Sequence, residues 1–303
     1  EMDDAEDPQE NVTTEDGASV NLIVTNDFET SGVSYGIDVS KYQGTIDWVQ
    51  VASAGVEYAM IRVGYRTQIT GVIYEDPTAK YNMQEAQKNG IKIGVYFFST
   101  AVNETEVIEE ATWISDFIAR YKITYPVVYN CEGFQSPDSR QYSLSNAERT
   151  ALADTFLSYV QKQGYIGMFY ASKSELEGNT FWNTDDLSNK YKIWVSQYSN
   201  TSYEKSDVSS YTGTHAMWQY TNKGTVSGID TTVDLNVAYF GYSKEAEPKD
   251  STPAEVVEAN PEVGIVFAEV NETVTAKMET NLRTVPSSLE ADTIVLKFKN
   301  GET

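Results

Sequence analysis

The sequence predicts an α/β protein in which parallel strands, each followed by a helix, close into a barrel. Between about residue 34 and residue 242, short apolar runs alternate with segments of helical periodicity. A repeated strand-helix-strand unit is typical of a parallel sheet, and the number of repeats favours a barrel over an open sheet. From about Tyr191 helical patterns become scarce while strand patterns continue, so we do not expect a regular eightfold barrel.

The predicted strands are short runs rich in Val, Ile, Tyr and Phe, which suits strands buried on both faces. In chain order they are Tyr35–Val39, Tyr58–Val63, Ile91–Phe98, Pro126–Tyr129, Ile166–Tyr170, Tyr191–Val195 and Ala216–Tyr220. Two of the intervening helices begin with the spacing of a capping box, Asn103 with Glu106 and Ser145 with Glu148. Gly164 is predicted to end the second of these helices.

The composition excludes several classes of function. Acidic residues number 45 against 22 basic ones, a formal net charge of −23 that disfavours binding to nucleic acid. No apolar stretch is long enough to span a membrane. The single cysteine, Cys131, and the single histidine, His215, exclude zinc sites built from Cys and His. They also exclude Ser-His-Asp and Cys-His catalysis unless His215 serves, so hydrolytic chemistry must depend on carboxyl groups.

Composition also divides the chain into four predicted segments. Residues 1–33 form an acidic leader, which we expect to be flexible. Residues 34–242 form the barrel, and residues 243–272 are rich in Pro and acidic residues and are expected to be a linker. Residues 273–303 contain short strand-like runs but are too few to bury a core, so we expect the beginning of a small β domain.

Three acids lie where predicted strands end or begin, which in a parallel barrel is the edge that carries function. Asp38 lies at the end of the first strand, Glu132 follows the fourth, and Asp234 lies near the last. Each could simply cap a helix or bound a loop. Glu132 differs because it continues the alternation of the apolar run before it, in which Cys131 faces outward and Glu132 faces inward. A partly buried carboxyl group has a raised pKa, which a general acid at neutral pH requires.

Aromatic residues accompany these acids in unusual number, including 21 tyrosines. Two carboxyl groups can hydrolyse a glycosidic bond, and aromatic faces bind sugar rings. We expect about half of the aromatic residues to fill the core instead. Those at or near predicted strand ends are Tyr42, Tyr65, Tyr96, Phe97, Tyr170, Trp194, Tyr198, Trp218 and Tyr220.

Taken in order, several blocks within residues 35–242 resemble the family 25 glycoside hydrolases, the Chalaropsis-type lysozymes. The blocks are Gly36–Gly44 with Ile46–Trp48, Tyr58–Val63, Ile93–Phe98, Pro126–Glu132, Trp194–Tyr198, Trp218–Tyr220 and Val233–Asn236. The resemblance implies a modified TIM-like α/β barrel of about eight strands in which the last helices are missing. It also implies cleavage of the β-1,4 bond between N-acetylmuramic acid and N-acetylglucosamine in peptidoglycan, without a metal or organic cofactor.

The resemblance assigns roles to individual residues. Glu132 would be the general acid and base, with Asn130, Asp38 and Asp234 completing the catalytic group. The substrate-binding residues would be Tyr42, Tyr96, Tyr170, Trp194, Tyr198, Trp218 and Gln219. We further expect a secreted, cell-wall-associated bacterial protein that is a monomer and that binds peptidoglycan glycan strands.

Position 130 departs from the family pattern, which has Asp two residues before the catalytic Glu. Asn130 can orient the acetamido group of the substrate, but it brings no negative charge to the transition state. Loss of the like charge should also lower the pKa of Glu132. The alternatives are a working natural variant, a weakened or binding-only wall protein, and an engineered inactive form. A barrel acting on chitin is a further alternative.

Residues 273–303 resemble the first half of a bacterial Src-homology-3-like wall-binding domain. The resemblance rests on Ala276–Arg283, which includes Asn281-Leu282-Arg283, and on Leu296–Glu302. It implies an incomplete second domain that binds the cell wall.

Overall fold

The computed structural model describes residues 27–198, 204, 207–259, 280–283 and 294–298. Eight of its strands form a closed barrel, as the sequence predicted, and a ninth is appended to the barrel edge. The strands are β1 Glu29–Val39, β2 Tyr58–Arg66, β3 Ile73–Glu75, β4 Lys92–Phe98, β5 Ile123–Asn130, β6 Gly167–Ser172, β7 Lys192–Ser196, β8 Met217–Gly224, β9 Val233–Tyr242, β10 Thr280–Arg283 and β11 Ile294–Phe298.

The barrel closes with one strand reversed. Parallel pairing runs from β1 through β2, β4, β5, β6 and β7 to β8. Strand β9 is antiparallel to both β8 and β1 and closes the circle. The short strand β3 pairs with Gly64–Arg66 at the end of β2, beyond the residues of β2 that pair with β1. The start of β9 therefore lies at the same rim as the ends of the parallel strands.

Helices cover the outside of the first part of the barrel and are absent from its last part, within the described residues. They are α1 Trp48–Ser53, α2 Ala79–Lys88, α3 Glu104–Ile118, α4 Asn146–Lys162, α5 Lys173–Leu176 and α6 Thr184–Lys190, with single 3-10 turns at Lys41–Gln43 and Glu177–Asn179. This distribution confirms the predicted thinning of helices. No helix in the described part of the chain is long and apolar enough to cross a membrane.

The predicted helix caps differ in detail. Ser145 and Glu148 form a complete capping box at the start of α4, and Gly164 follows that helix with a φ of 78°. Asn103 accepts a hydrogen bond from the backbone N–H of Glu106, but the Glu106 side chain does not complete the box. It pairs instead with Arg140 at 2.7 Å, because a full positive charge is a better partner than one amide.

Side chains of the barrel strands alternate between the interior and the helix layer. Tyr58, Met60, Met168, Met217 and similar residues fill the lower barrel interior. Their neighbours in sequence pack outward against the helices in a larger core. At the upper rim the inward positions become polar, and this change creates the site described below.

The predicted leader ends earlier than residue 33, because β1 begins at Glu29 and pairs with the end of β9. The Glu29 carboxylate contacts the Lys192 ammonium group at 2.7 Å, which fixes the beginning of the strand. Residues 1–26 lie outside the described part of the chain.

The first part of the predicted linker packs on the barrel. We call residues 243–259 the strap. The backbone N–H of Asp250 donates to the Ala119 carbonyl, and Glu245 pairs with Lys122 at 2.8 Å. Farther on, the Gln84 side chain makes hydrogen bonds to both the N–H and the carbonyl of Val257. These contacts order a segment that composition alone marks as a linker.

In the C-terminal segment, β10 and β11 form a two-stranded antiparallel sheet. The short strand-like runs that the sequence shows within residues 273–303 are Val274–Met278, Leu282–Thr284 and Ile294–Phe298. The second and third overlap these strands, and Val274–Met278 lies outside the described residues.

Candidate active site

A cavity of about 240 Å³ opens at the barrel rim where the parallel strands end. Three of its lining side chains are carboxylic acids and the others are amides or aromatic residues. The lining consists of Asp38, Tyr96, Asn130, Glu132, Tyr170, Trp194, Tyr198, Gln219, Asn222 and Asp234. All four residues predicted to form the catalytic group therefore face one cavity.

Antiparallel pairing brings two of the acids together. Asp38 near the end of β1 lies directly opposite Asp234 near the start of β9. A parallel strand would have carried Asp234 to the opposite end of the barrel. The reversal of β9 is thus the reason that an acid distant in sequence reaches Asp38.

Hydrogen bonds at this rim converge on Asp38. Its Oδ2 accepts from Gln219 Nε2 and from Asn236 Nδ2, both at 2.8 Å. The amide oxygen of Gln219 accepts from the hydroxyl groups of Tyr170 and Tyr198, at 2.9 and 3.0 Å. Both tyrosines donate to the oxygen, so the amide nitrogen of Gln219 must face Asp38.

Asn236 is oriented in the same way. Its Oδ1 accepts from Trp194 Nε1 at 2.9 Å, which directs its amide nitrogen to Asp38. Every bond in the network therefore donates towards one carboxylate oxygen. This arrangement favours Asp38 as the anion, although burial by itself raises the pKa of Asp38.

Asp234, in contrast, favours the protonated form. Burial raises its pKa, and the neighbouring charge of Asp38 raises it further. Two carboxyl groups in contact cannot both ionise readily, so they share a proton. Because the amide donors serve Asp38, Asp234 holds the proton and donates it to Asp38.

Glu132 lies just beyond the end of β5. Its Oε1 accepts from Asn130 Nδ2 at 2.8 Å, which favours the carboxylate. Protein atoms of the concave wall desolvate the carboxyl group although the residue retains contact with solvent, and this desolvation raises the pKa of Glu132. Negative charge on Glu175 and Asp38 raises it further. The hydrogen bond from Asn130 lowers the pKa of Glu132, but desolvation has the larger effect, so the pKa is raised.

The cavity gathers most of the predicted sugar-binding residues. Tyr96, Tyr170, Trp194, Tyr198 and Gln219 all line it.

Trp218 and Tyr42 do not line the cavity. Trp218 is 1% exposed and packs in the outer core, because it alternates with the inward-facing Gln219. Tyr42 is 63% exposed at the rim, and its ring lies 5.2 Å from the Arg62 guanidinium carbon.

Two polar residues of the site were not assigned a role from the sequence. Asn236 orients Asp38, and Asn222 lines the cavity. The position of Asn236, two residues after Asp234 on one strand, was an available signal, because alternation places both on the same face. Asn222 follows an irregularity in the pairing of β8 and β9, which sequence periodicity does not reveal.

His215 does not line this cavity. Its Nδ1 lies 2.9 Å from the Gly213 carbonyl oxygen, and its ring packs against Tyr211 and Tyr239. Among the described residues, no group of three or more His, Cys, Asp or Glu side chains could hold a metal ion.

A closed α/β barrel with carboxyl groups gathered over a rim cavity is an architecture that glycoside hydrolases use. The sequence profile of glycosyl hydrolases family 25 matches residues 37–229, and the chain belongs to that family. It is a glycoside hydrolase of the lysozyme type.

Relatives agree with this assignment. Lysozyme M1 of Streptomyces globisporus is 29% identical over 218 residues, covering 69% of this chain and 68% of that protein. The autolytic lysozyme of Clostridium acetobutylicum is 27% identical over 66% of this chain, and the match spans 54% of that protein's length.

Solved structures share the fold. A Streptomyces coelicolor lysozyme superposes with a TM-score of 0.53 at 24% identity, over 74% of this chain and all of that one. The modular autolysin LytC of Streptococcus pneumoniae, in complex with a synthetic peptidoglycan ligand, gives a TM-score of 0.55 at 24% identity. That match covers 69% of this chain and 47% of LytC.

Proposed function

We propose that this protein hydrolyses the β-1,4 bond between N-acetylmuramic acid and N-acetylglucosamine in peptidoglycan, with Glu132 as general acid and base. The observation that carries the proposal is the environment of Glu132. Its carboxyl group borders a cavity that also holds Asp38, and desolvation by the cavity wall raises its pKa although the residue is exposed at the rim. A carboxyl group with a raised pKa holds its proton to a higher pH than a free one and can protonate a leaving glycosidic oxygen.

The reaction we propose begins with transfer of the Glu132 proton to the oxygen between the two sugars. As that bond breaks, positive charge develops on the anomeric carbon and ring oxygen. The acetamido oxygen of the substrate attacks the anomeric carbon, and Glu132, now a carboxylate, takes a proton from the water that completes hydrolysis. Glu132 thus ends the cycle protonated, as it began.

Asp38 has the properties of a group that stabilises the developing positive charge. It is nearly buried, and its donors are already oriented, so no reorganisation is needed as the charge appears. Asp234 would keep Asp38 in place through the shared proton. Asn130 lines the same cavity and has a free amide oxygen that could accept the acetamido N–H.

We propose that the aromatic residues of the cavity bind the sugars. Tyr96, Tyr170, Trp194 and Tyr198 offer ring faces and hydroxyl groups at the rim. Tyr42, exposed beside the cavity on the first loop, would extend the groove to a further sugar. Trp218 is a poor candidate for this role because its side chain is buried outside the barrel wall.

A second candidate is a wall-binding protein with little or no catalysis. Asn130 favours it, because its amide stabilises the Glu132 carboxylate and contributes no charge to the transition state. The survival of Glu132, Asp38 and Asp234 in one cavity weighs against it.

Mass spectrometry of digested peptidoglycan separates the two candidates. We expect the wild type to release fragments with reducing N-acetylmuramic acid, and Glu132→Gln to lose about 10³-fold in rate while remaining folded. Asn130→Asp is the comparison variant and should raise the rate. Binding to walls without fragments from either wild type or Asn130→Asp would support the binding protein. Cleavage of chitooligosaccharides but not peptidoglycan would assign another glycan.

We also propose how the chain segments before and after the barrel are organised and where the protein acts. The lysozyme names of two relatives support action on the cell wall, and we propose a secreted monomer. The catalytic domain would begin with β1 at Glu29 and end at residue 242, with the strap packed on it. The residues after the strap would connect it to a Src-homology-3-like wall-binding segment at 273–303. Cosedimentation of the chain with and without residues 260–303 with purified walls tests the last point. Equal binding by both forms would contradict it.

A further inference from the structure

Glu175 is an acid of the site region that does not line the cavity. It lies in the first turn of α5, immediately after β6, and is 8% exposed. None of the ion pairs found among the described residues includes Glu175, whereas nearby Glu177 contacts Lys173 at 3.6 Å. A nearly buried acid without a cationic partner requires an explanation, because burial of an isolated charge is costly.

Polar donors surround the carboxyl group of Glu175. Its Oε2 accepts from the Ser172 backbone N–H at 3.1 Å and from the Ser172 hydroxyl at 2.9 Å. Its Oε1 accepts from Gln135 Nε2 at 3.4 Å. All three contacts are donations to the carboxylate, so the charge is satisfied by dipoles and is not neutralised by a counter-ion.

The Gln135 contact connects Glu175 to the segment that carries Glu132. Gln135 follows Glu132 by three residues, in a turn closed by the hydrogen bond from the Ser136 N–H to the Gly133 carbonyl. Glu175 therefore touches the loop of the proposed general acid from the neighbouring strand end. The contact lies outside the cavity lining, since neither Glu175 nor Gln135 lines the cavity.

We propose that Glu175 is a positioning residue for Glu132, holding its loop and supplying from outside the cavity lining a negative charge that position 130 lacks. The proposal deepens the proposed function, since it concerns regulation of the same acid. A nearby fixed anion favours the protonated form of a carboxyl group. Asn130 acts in the other direction, and the charge of Glu175 opposes it.

The other charged groups around Glu132 do not replace Glu175. Asp38 from β1 acts on Glu132 in the same direction but less strongly, and Asp234 from β9 holds a proton. Tyr170 from β6 and Tyr198 after β7 are neutral, since burial raises the pKa of each.

A cation on the helix layer that acts on Glu175 is Arg149 of α4, whose guanidinium group donates to the carbonyls of Leu144 and Phe181. The charge of Glu175 acts on this guanidinium group at a distance, but no ion pair joins the two among the described residues. Cys131 stays protonated because burial raises its pKa. The field of Glu175 is therefore not cancelled by a direct ion pair.

The test is a pH titration of Glu132 itself. The side-chain carboxyl ¹³C resonance of Glu132 is identified by its absence from the spectrum of Glu132→Gln. Glu175→Gln keeps the shape and can still accept from Ser172, but it removes the charge. We expect the Glu132 pKa to fall in Glu175→Gln and to stay unchanged in Glu177→Gln, which removes a similar charge from the exposed neighbour. An unchanged titration of Glu132 in folded Glu175→Gln would overturn the proposal.

The pH profile of hydrolysis gives a second readout. The basic limb in Glu175→Gln should move to lower pH, so that kcat at pH 7 drops about threefold while activity in acid is retained and KM is little changed. A uniform loss at all pH values would indicate a structural role only and would contradict the charge effect. Because the titration needs no turnover, an inactive wild type would refute the proposed function and leave this test intact.

If Glu175→Gln does not fold, the exposed position 135 offers another route. Gln135→Lys places a cation against Glu175 and should lower the Glu132 pKa, whereas Ser136→Lys adds the same charge away from the contact. Equal effects of the two lysines would overturn the role of Glu175.

Discussion

The two ends of the barrel interior use the same strands for opposite purposes. In the lower part, Met217 of β8 lies opposite Ala238 of β9, and both are fully buried apolar residues. Two residues nearer the rim, Gln219 lies opposite Asn236, and both donate to Asp38. Inward-facing positions two residues apart on the same strand therefore serve packing in the lower part and hydrogen bonding to Asp38 at the rim.

The difference teaches how a narrow barrel supports a charged site. Apolar and aromatic side chains fill the lower interior, including Tyr58 and Tyr125 stacked at 4.3 Å between ring centroids. Above this layer Asp38 is 6% exposed, and the donors to its Oδ2 are the strand side chains Gln219 and Asn236. At the rim above it, desolvation raises the pKa values of Asp234 and Glu132.

The largest expected effect comes from variants of the acid pair Asp38 and Asp234, in which Asp38 is the anion and Asp234 holds the proton. In Asp38→Asn the amide oxygen can still accept from Gln219 and Asn236, but the anion moves to Asp234. We expect about a 10²-fold loss in the rate of reducing-end release, because the charge is displaced from its preorganised position. In Asp234→Asn the new amide donates to Asp38 and the anion stays in place, so the loss should be only a few-fold. Equal losses in the two variants, with both folded by circular dichroism, would show that the proton is not held as we infer.

An intermediate effect tests the lower layer alone. A Cβ at Gly94 would lie 2.6 Å from the terminal methyl group of Met60 and 2.7 Å from Tyr125 Cβ. Gly94→Ala should therefore lower the free energy of unfolding by about 1–3 kcal/mol through overpacking. Gly32→Ala, where a Cβ meets nothing within 4 Å, is the matched control. Urea unfolding measures both, and comparable stabilities would mean that the barrel floor is more adaptable than its packing indicates.

The smallest expected effect concerns the strap, which packs on the barrel and lies away from the cavity. Gln84→Ala removes both side-chain hydrogen bonds to Val257 and should cost about 1 kcal/mol of unfolding free energy. Lys88→Ala on the same helix removes only an exposed contact with Glu85 and should change stability less. Neither variant should alter hydrolysis, because the strap lies away from the cavity. A Gln84→Ala protein as stable as Lys88→Ala would indicate that the strap contributes nothing to the fold.

Much of the fold was predictable because its signals are local. Apolar runs gave the barrel strands, and Ser145 with Glu148 forms the predicted capping box. The face of the barrel wall on which a given side chain lies was harder to predict. Trp218 and Gln219 are adjacent and both resemble binding residues, yet only one can face inward, and the pairing with β9 decides which. The strap was missed because its contacts are with side chains more than a hundred residues away in sequence.

The sequence by itself determined the elements, the family and the set of acids, because periodicity, caps and motif blocks depend on neighbours along the chain. Only the tertiary structure decided which acids meet and in which state of ionisation. Asp38 and Asp234 become a pair because β9 runs antiparallel, and their protons are assigned by donors on four different strands. Ionisation depends on burial and on charges brought together across the barrel, and neither quantity exists before the chain has closed.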